Sequence, residues 1–291
     1  MTPSAGAGDD PGPDPRTDRR HLTTISYGTG DLLADRQQLY RFAQPKKEPI
    51  TEWLFALVGG PEALGEPIVD VGAGNGQYLS ALPGRRRVAL DLSRGMLRGL
   101  RPAGFAGPVL ETDAQALPLA AASAGTAMAN HMLYHVPDIV LAGLELRRVL
   151  RPDGVLLAVT NGRDHLAELG RVLDETVSEL AGRPFHLDRS GERFTLEEGH
   201  DPLAVAFASV DCHHRRTELV VPDTWPAWWA SPRPCPTASS SPTCWPRPSG
   251  GSPPSSPGMA PSGCTCTRAP LSADDTPAVD QVGRCTGTVR C

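Results

Sequence analysis

The sequence predicts a doubly wound α/β fold, in which a mainly parallel sheet is covered by helices on both faces. Between residues 67 and 162, short apolar runs typical of buried strands alternate with stretches of helical spacing. A turn rich in glycine follows the first run, and a carboxylate stands at or just after the end of each of the next two. Alternating β and α units of this length build a parallel sheet through right-handed crossover connections.

Each predicted strand is a short aliphatic or β-branched run bounded by polar or turn-forming residues. The core strands are predicted at residues 68–71, 87–91, 108–111, 126–129 and 154–159. Apolar residues at helical spacing predict helices at residues 77–82, 95–100, 141–150 and 165–180. A loop is predicted at residues 194–199, and the runs at 204–210 and 217–221 are predicted to be a sixth strand and its partner.

Composition and pattern divide the chain into five parts. Residues 1–30 begin with a stretch rich in Pro, Gly and Asp and are predicted to be a disordered leader. Two helices between Asp31 and Leu57 make residues 31–66 an N-terminal helical cap. Residues 67–162 form the ligand-binding core, residues 163–226 a cap segment with the remaining strands, and residues 227–291 a disordered tail.

The tail has an unusual composition. Six of the seven cysteines and 12 of the 30 prolines follow residue 230, whereas only four Val, Ile, Leu or Phe residues do so. Such a segment cannot bury a core. When its codons are read with a shift of one base, Ser, Cys and Trp become aliphatic, and a helical pattern followed by an alternating strand results. We therefore interpret the tail as a frameshift product, so that the C-terminal strand pair is missing; a genuine disordered tail is the alternative.

Charge and hydropathy exclude some classes of function. The chain carries 28 basic and 33 acidic side chains, a net charge of −5, which gives no reason to expect a nucleic-acid-binding surface. It has no apolar run of the length that a membrane span needs, about 18 residues. No apolar segment follows a basic start at the amino terminus, so we expect no secretory signal and a cytoplasmic location.

The turn at residues 70–76 reads DVGAGNG and lies between a predicted strand and a predicted helix. Alternate glycines allow a sharp turn and a close approach of ligand to backbone. The G-x-G-x-G spacing is less suited to a pyrophosphate than G-x-G-x-x-G, although a purely structural turn or a nicotinamide site stays open. Asp91 ends the next strand, where it could bind ribose hydroxyls or cap a helix. Asp113 follows the third strand, where it could bind an exocyclic amine or be a solvated carboxylate.

Residues 68–162 resemble the core of the class I S-adenosylmethionine-dependent methyltransferases, in the small-molecule, methyltransferase type 11-like branch. The signature reads ANHMLYHVPD at residues 129–138 and RRVLRPDG at residues 147–154. The segments TNG at 160–162 and FTLEEG at 194–199 also resemble that branch, and the resemblance covers residues 31–226. It implies a sheet of the seven-strand type that binds S-adenosylmethionine at its core.

The resemblance also implies a role for each matching residue. The methionine moiety would be held by Asp70 and the loop residues Gly72, Ala73, Gly74 and Gly76. The ribose would be bound by Asp91, and the adenine by Leu92, Asp113 and Ala114. The methyl-transfer side would be lined by Asn130 and His131.

His131 and His135 are the candidates for a catalytic base, because histidine is the common choice near neutral pH. Methyl transfer depends chiefly on proximity and alignment, so His131 could instead pack over the cofactor and His135 could be a capping or core residue. No metal site is predicted. The run Cys212-His213-His214 lies in a predicted strand or hairpin, where neighbouring side chains point to opposite faces, and Cys264-Thr265-Cys266 lacks histidine partners.

These observations predict an S-adenosylmethionine-dependent methyltransferase that acts on a small-molecule or natural-product acceptor. The alternatives are an RNA methyltransferase and an inactive homologue with a truncated fold. No nucleic-acid or membrane partner is expected. The sequence does not indicate whether oxygen, nitrogen or carbon is methylated, nor the oligomeric state.

Overall fold

The computed structural model describes residues 13–187, 190–221 and 283–290. All of them except Val221 belong to one compact unit.

A seven-stranded sheet forms the centre of this unit. Five neighbouring strands pair in parallel, and the last two are joined to them through two antiparallel pairs. In spatial order the strands are β4 (Val109–Glu111), β3 (Arg87–Asp91), β2 (Ile68–Val71), β5 (Ala124–Asn130), β6 (Leu150–Asn161), β9 (Gly283–Arg290) and β7 (Ser209–Arg216). The strand order reverses between β2 and β5. Ligands of open α/β sheets bind at such a switch point, outside the carboxyl ends of the strands.

Helices and short strands surround the sheet. The helices are α1 (Arg19–His21, continued by a π turn at Leu22–Ser26), α2 (Asp31–Gln38), α3 (Ile50–Ala56), α4 (Gln77–Ser80), α5 (Arg94–Leu100), α6 (Ile139–Val149), α7 (Ala167–Ala181) and α8 (His200–Ala204). Short 3-10 turns lie at Leu39–Phe42, Pro61–Ala63, Leu133–His135 and Ser190–Arg193. A separate antiparallel pair joins β1 (Ala43–Gln44) to β8 (Glu218–Leu219).

Two hydrophobic clusters contain the buried side chains of the sheet. Val69 and Val71 belong to one cluster with Leu146 of α6, whereas Ile68 belongs to the other with Leu79 of α4. Neighbouring side chains of β2 therefore lie on opposite faces of the sheet, as expected for a pleated strand. The predicted doubly wound α/β fold is confirmed.

Helix α7 buries few of its side chains against the rest of the protein. Of its 15 residues only Gly170 is buried, and Leu169, Val172, Leu173 and Leu180 all expose two fifths or more of their surface. None of the helices in the described ranges is long and apolar enough to cross a membrane.

The predicted core strands are confirmed, with β2 and β3 at the expected bounds and β6 longer than expected. The prediction for residues 204–210 is wrong. This run ends helix α8 and then forms a loop that buries Phe207, and the strand begins only at Ser209. Residues 217–221 are expected to pair with the sixth strand, and this prediction is also wrong. Glu218–Leu219 pairs with Ala43–Gln44 instead.

The C-terminal strand pair is present, so the prediction that it is missing is wrong. Residues 283–290 form β9, which pairs with β6 over Val155–Asn161 and with β7 over Ser209–Arg216. Backbone pairing on both sides allows this Gly- and Thr-containing segment to be a strand although it has few aliphatic residues. The rest of the predicted tail, residues 227–282, lies outside the described residues, and the structure does not test the reading frame.

The predicted disordered leader differs from the structure over residues 13–30. Helix α1 begins after Asp18, whose carboxylate accepts a hydrogen bond of 2.8 Å from the main-chain N–H of His21. Leu22 is 5% exposed, and the hydroxyl of Tyr27 forms a hydrogen bond with His135. These tertiary contacts order a segment whose composition is polar. Residues 1–12 lie outside the described residues.

Candidate functional site

The glycine loop after β2 turns through backbone conformations that favour glycine. The φ angles are +74° at Gly72, +54° at Gly74 and +77° at Gly76. A Cβ at Gly72 would lie 2.6 Å from the Cβ of Met132, which follows the neighbouring strand β5. The loop therefore fills the switch point so tightly that only hydrogen fits between its backbone and Met132. Ala73, between the first two glycines, is 6% exposed.

Asp70 is the third residue of β2, whose four residues are all buried. Its side chain is 1% exposed, and neither carboxylate oxygen has a hydrogen-bond partner among the residues that the structure describes. Burial raises the pKa of Asp70 well above its usual value, and the nearby Asp91 carboxylate raises it further. A buried carboxylate without donors is costly. The site is therefore suited to a cationic or hydrogen-donating group.

Asp91 at the end of β3 binds the loop. Its Oδ2 accepts a hydrogen bond of 2.8 Å from the main-chain N–H of Gly74, and its Oδ1 accepts one of 2.7 Å from that of Ser93. Burial raises the pKa of Asp91, although these backbone hydrogen bonds act in the opposite direction. Each oxygen keeps acceptor capacity for another donor, so the carboxylate can also receive a pair of hydroxyl groups. Leu92, the next residue, is partly exposed.

Asp113 and Ala114 follow β4 at the same edge. Oδ1 of Asp113 accepts hydrogen bonds from the main chain and the side chain of Gln115, at 2.9 and 3.1 Å. Oδ2 lies 3.9 Å from the guanidinium of Arg19. The carboxylate is partly exposed, so it can still accept a donor from a ligand, whereas Ala114 is buried.

Asn130 and His131 end β5. Asn130 is 5% exposed, and its amide nitrogen and oxygen have no hydrogen-bond partner in the described part of the chain. Asp70 pairs with Met128, which is two residues before Asn130 on β5. Alternate residues of a strand share a face, so Asn130 lies on the same face of the sheet as Asp70. His131 has a φ of +56°, which is uncommon outside glycine, and its main-chain N–H donates to Val159 at 2.7 Å. The chain therefore leaves the sheet abruptly at this histidine.

Both ring nitrogens of His135 form hydrogen bonds. Nε2 lies 2.8 Å from the Tyr27 hydroxyl, and Nδ1 lies 3.0 Å from the carbonyl oxygen of Arg16. A carbonyl can only accept, so Nδ1 carries the proton and Nε2 accepts from the tyrosine. Burial lowers the pKa of His135 to about 4, so the ring is neutral at neutral pH.

Sequence reasoning missed the contribution of the N-terminal segment to this edge. Cδ2 of Leu33 lies 3.3 Å from the position of a Cβ at Gly74. The side chain of Asn75 donates a hydrogen bond of 2.8 Å to Gln37. The sequence signal was weak, because these contacts involve isolated residues of a polar segment. Helix α2 therefore covers the glycine loop.

His213 and His214 belong to no group of metal ligands in the described part of the chain. They lie on β7 next to the exposed thiol of Cys212, and the described residues contain no group of three side chains able to hold a metal ion. Cys264 and Cys266 lie outside the described residues.

Residues 69–158 match the family model of the methyltransferase domain, type 11. A 23S rRNA (guanine(748)-N(1))-methyltransferase of Streptomyces fradiae is 30% identical over 219 residues, which cover 69% of this chain and 75% of that protein. A malonyl-[acyl-carrier protein] O-methyltransferase of Methylococcus capsulatus is 37% identical over 124 residues, which cover 39% of this chain and 45% of that protein. The chain thus spans less than half of this second relative.

Among solved structures, an S-adenosylmethionine-dependent methyltransferase of Thermotoga maritima has a TM-score of 0.46 at 20% identity, over 67% of this chain and 86% of that one. The relative from Streptomyces is matched over most of its length, and the family model covers the glycine loop and the edge of the sheet described above. The chain belongs to the class I S-adenosylmethionine-dependent methyltransferases, in the branch that carries the type 11 methyltransferase domain.

Proposed function

We propose that the chain transfers the methyl group of S-adenosylmethionine to a small-molecule acceptor at the carboxyl edge of β2–β5. The donor supplies a methyl group activated by a positively charged sulfur. Two observations support a donor site here. Asp70 is a buried carboxylate without donors among the described residues, which suits the ammonium of the methionine moiety. The glycine loop after it turns through positive φ angles at Gly72, Gly74 and Gly76, so a ligand can approach its backbone closely.

Each of the other residues binds one part of the donor. Main-chain groups of Gly72, Ala73, Gly74 and Gly76 face the methionine moiety from the loop. Asp91 binds the two ribose hydroxyls with the acceptor capacity left on its oxygens. Leu92 packs beside the adenine, and Asp113 with Ala114 takes its amino edge.

Asn130 and His131 line the side on which the methyl group leaves. The buried amide of Asn130 can donate and accept at the same time, so it can orient an acceptor hydroxyl or amine. Orientation accounts for much of the rate in a displacement of this kind. His131 is the candidate to take a proton from the acceptor, because His135 has both nitrogens engaged and a pKa of about 4.

Charge is the observation that favours a small acceptor. Residues 1–226 contain 23 basic and 30 acidic side chains. At the ligand edge, Arg94 is paired with Glu111 at 2.8 Å, and Arg19 lies 3.9 Å from both Glu111 and Asp113. RNA-binding surfaces need cations that can meet phosphates, and these arginines are already neutralised by carboxylates.

The test is transfer of labelled methyl from S-adenosylmethionine. Purified chain is incubated with either a small-molecule extract of the source organism or an in vitro transcript of its 23S rRNA. The Gly74→Val variant, whose loop cannot keep its φ of +54° without strain, is the matched inactive control. Label in the small-molecule fraction, absent with the variant, supports the proposal. Label only in the transcript contradicts it.

An RNA acceptor is the second candidate, and one observation favours it. The Streptomyces relative that this chain matches over three quarters of its length methylates 23S rRNA at a guanine nitrogen, according to its name. The transcript arm of the same assay decides this candidate. The inactive alternative assumed that the C-terminal strand pair is missing, whereas residues 283–290 pair with β6 and β7. Activity in either arm of the assay would contradict it.

A further inference from the structure

The N-terminal cover, defined as residues 13–42, crosses the ligand edge of the sheet. Arg19 lies 3.9 Å from Glu111, the last residue of β4, and from Asp113 just after it, and Leu33 lies over Gly74 beyond β2. The same segment contacts the loops after β5 and β6 through tyrosines. The donor site proposed above therefore lies under this segment, and the cover must move for a nucleoside of this size to enter or leave.

Tyr27 is the most connected residue of the cover. Its hydroxyl donates to Nε2 of His135 at 2.8 Å, and its ring meets the His135 ring edge-on with centroids 5.2 Å apart. Its carbonyl oxygen accepts a hydrogen bond of 2.6 Å from Oγ of Ser93. The guanidinium of Arg36 lies 5.1 Å from the centre of its ring. Tyr27 thus joins the cover to the segment after β5 through its side chain, and to the start of α5 through its main-chain carbonyl.

The connection leads directly to Asp91. Ser93, which bonds the Tyr27 carbonyl, also donates its main-chain N–H to Oδ1 of Asp91 at 2.7 Å. Beside it, a Cβ at Gly95 would overlap the carbonyl of Gly28, so the cover touches α5 where only glycine fits. Moving Tyr27 away would break this chain of contacts next to the residue that binds the ribose.

His135 is bonded to the cover at two points. Nδ1 donates to the carbonyl of Arg16, eleven residues before the tyrosine that donates to Nε2. The neutral ring is the form that can donate at one nitrogen and accept at the other. Because burial lowers the pKa of His135 to about 4, this form prevails at neutral pH.

We propose that Tyr27 and His135 form a latch that holds the N-terminal cover closed over the donor site. His135 is then a positioning residue, which acts through Tyr27 and the cover, and not the base of the reaction. The latch rests on the donor site of the proposed function and is independent of the acceptor. It sets how fast the donor and its product, S-adenosylhomocysteine, leave the site.

The test measures the dissociation rate of S-adenosylhomocysteine from the full chain by displacement with excess S-adenosylmethionine in stopped flow. Tyr27→Phe removes the donor of one hydrogen bond, whose net contribution of ~1 kcal/mol corresponds to a rate about fivefold faster. The matched control is Tyr40→Phe, which removes a similar bond, 3.1 Å from Tyr40 to His165, in the same cover but beyond β6. Its dissociation rate should equal that of the wild type.

Rescue separates a latch from a merely structural role. His135→Gln keeps an acceptor for the tyrosine and should stay close to the wild-type rate, whereas His135→Leu loses both bonds to the cover and should release the product at least as fast as Tyr27→Phe. Limited proteolysis between Arg16 and Arg41 provides a second readout, since an opened cover is cut faster in Tyr27→Phe than in Tyr40→Phe. Wild-type rates in both Tyr27→Phe and His135→Leu would overturn the latch alone. Failure of the wild type to bind S-adenosylhomocysteine would overturn the latch together with the donor site.

Discussion

The main-chain N–H of Gly74 donates a hydrogen bond of 2.8 Å to Oδ2 of Asp91. Two features that are 17 residues apart in the sequence, the glycine loop and the acidic end of the next strand, are therefore one unit in the structure. The carboxylate holds the loop in shape before any ligand arrives. A change at either residue should affect the other.

Asp91→Asn should weaken binding of S-adenosylmethionine about 100-fold, which corresponds to the 1.5–3 kcal/mol of a hydrogen bond to a charged group. The amide would present an N–H₂ group to one of the two main-chain donors, Gly74 or Ser93, and so would also loosen the loop. Isothermal titration calorimetry measures the effect. Asp211→Asn, an exposed carboxyl on β7, is the control and should bind as the wild type does. Equal affinities for the two variants would contradict the role of Asp91.

Gly72→Ala and Gly84→Ala form a matched pair, because their φ angles are +74° and +76°. Both substitutions impose the strain of a left-handed alanine, about 1–2 kcal/mol. Only at Gly72 does the new methyl group also collide with Met132, whereas nothing lies within 4 Å at Gly84. Gly72→Ala should therefore lower the free energy of unfolding by a further ~1–3 kcal/mol and abolish donor binding. Chemical denaturation compares the two, and equal losses would show that the close approach is unimportant.

Asp70→Asn should stabilise the protein in the absence of ligand while abolishing donor binding. The pKa of Asp70 is raised by burial, so the folded state holds its proton more tightly than the unfolded state. The stability that this proton contributes is present at low pH and is lost as the pH rises through the raised pKa. Near neutral pH the melting temperature of the variant should exceed that of the wild type by about 2–4 °C, which corresponds to ~1 kcal/mol.

The difference between Asp70→Asn and the wild type should shrink as the pH is lowered, because the wild-type carboxyl then becomes neutral too. Differential scanning calorimetry at several pH values measures it. Asp211→Asn again serves as the control. A variant that is less stable than the wild type near neutral pH would contradict the assignment of a buried, unsatisfied carboxylate.

Removal of residues 283–291 should detach β7, since among the described strands of the sheet its one neighbour is β9. Amides of β6 and β7 should then lose their protection from hydrogen exchange, because both strands lose their hydrogen bonds to β9. The control is a chain that keeps these residues but has residues 235–270 replaced by a short Gly-Ser linker. Because residues 283–290 are retained, they can still pair with β6 and β7, so protection should persist. Equal protection in the truncated chain would contradict the pairing.

Much of the central sheet could be predicted from the sequence. Residues 68–71 and 87–91 are mainly apolar runs with an aspartate at or next to the carboxyl end, and burial on both faces selects apolar runs for parallel strands. The glycine loop could also be predicted, because the backbone geometry of a single turn determines the spacing of its glycines. Their grouping at one edge followed from the parallel topology.

The remaining elements depend on contacts between distant parts of the chain. β7 carries polar residues at positions 211–216 and lies at the edge of the sheet, so its sequence lacks the apolar run of a central strand. The apolar run before it, which includes Phe207, packs into the core as a loop. Segment 13–30 is ordered through individual contacts such as those of Leu22 and Tyr27, and no periodicity reveals them.

Helix α7 has a thermodynamic consequence of its own. An isolated helix of its length, 15 residues, is marginal in water. Because only Gly170 of this helix is buried, little tertiary packing is coupled to its formation. Its helix–coil transition should therefore be separate from the cooperative melting of the sheet, and its amides should exchange through local opening at a lower free energy. Substitutions on its exposed apolar side would alter the solubility of the protein far more than its melting temperature.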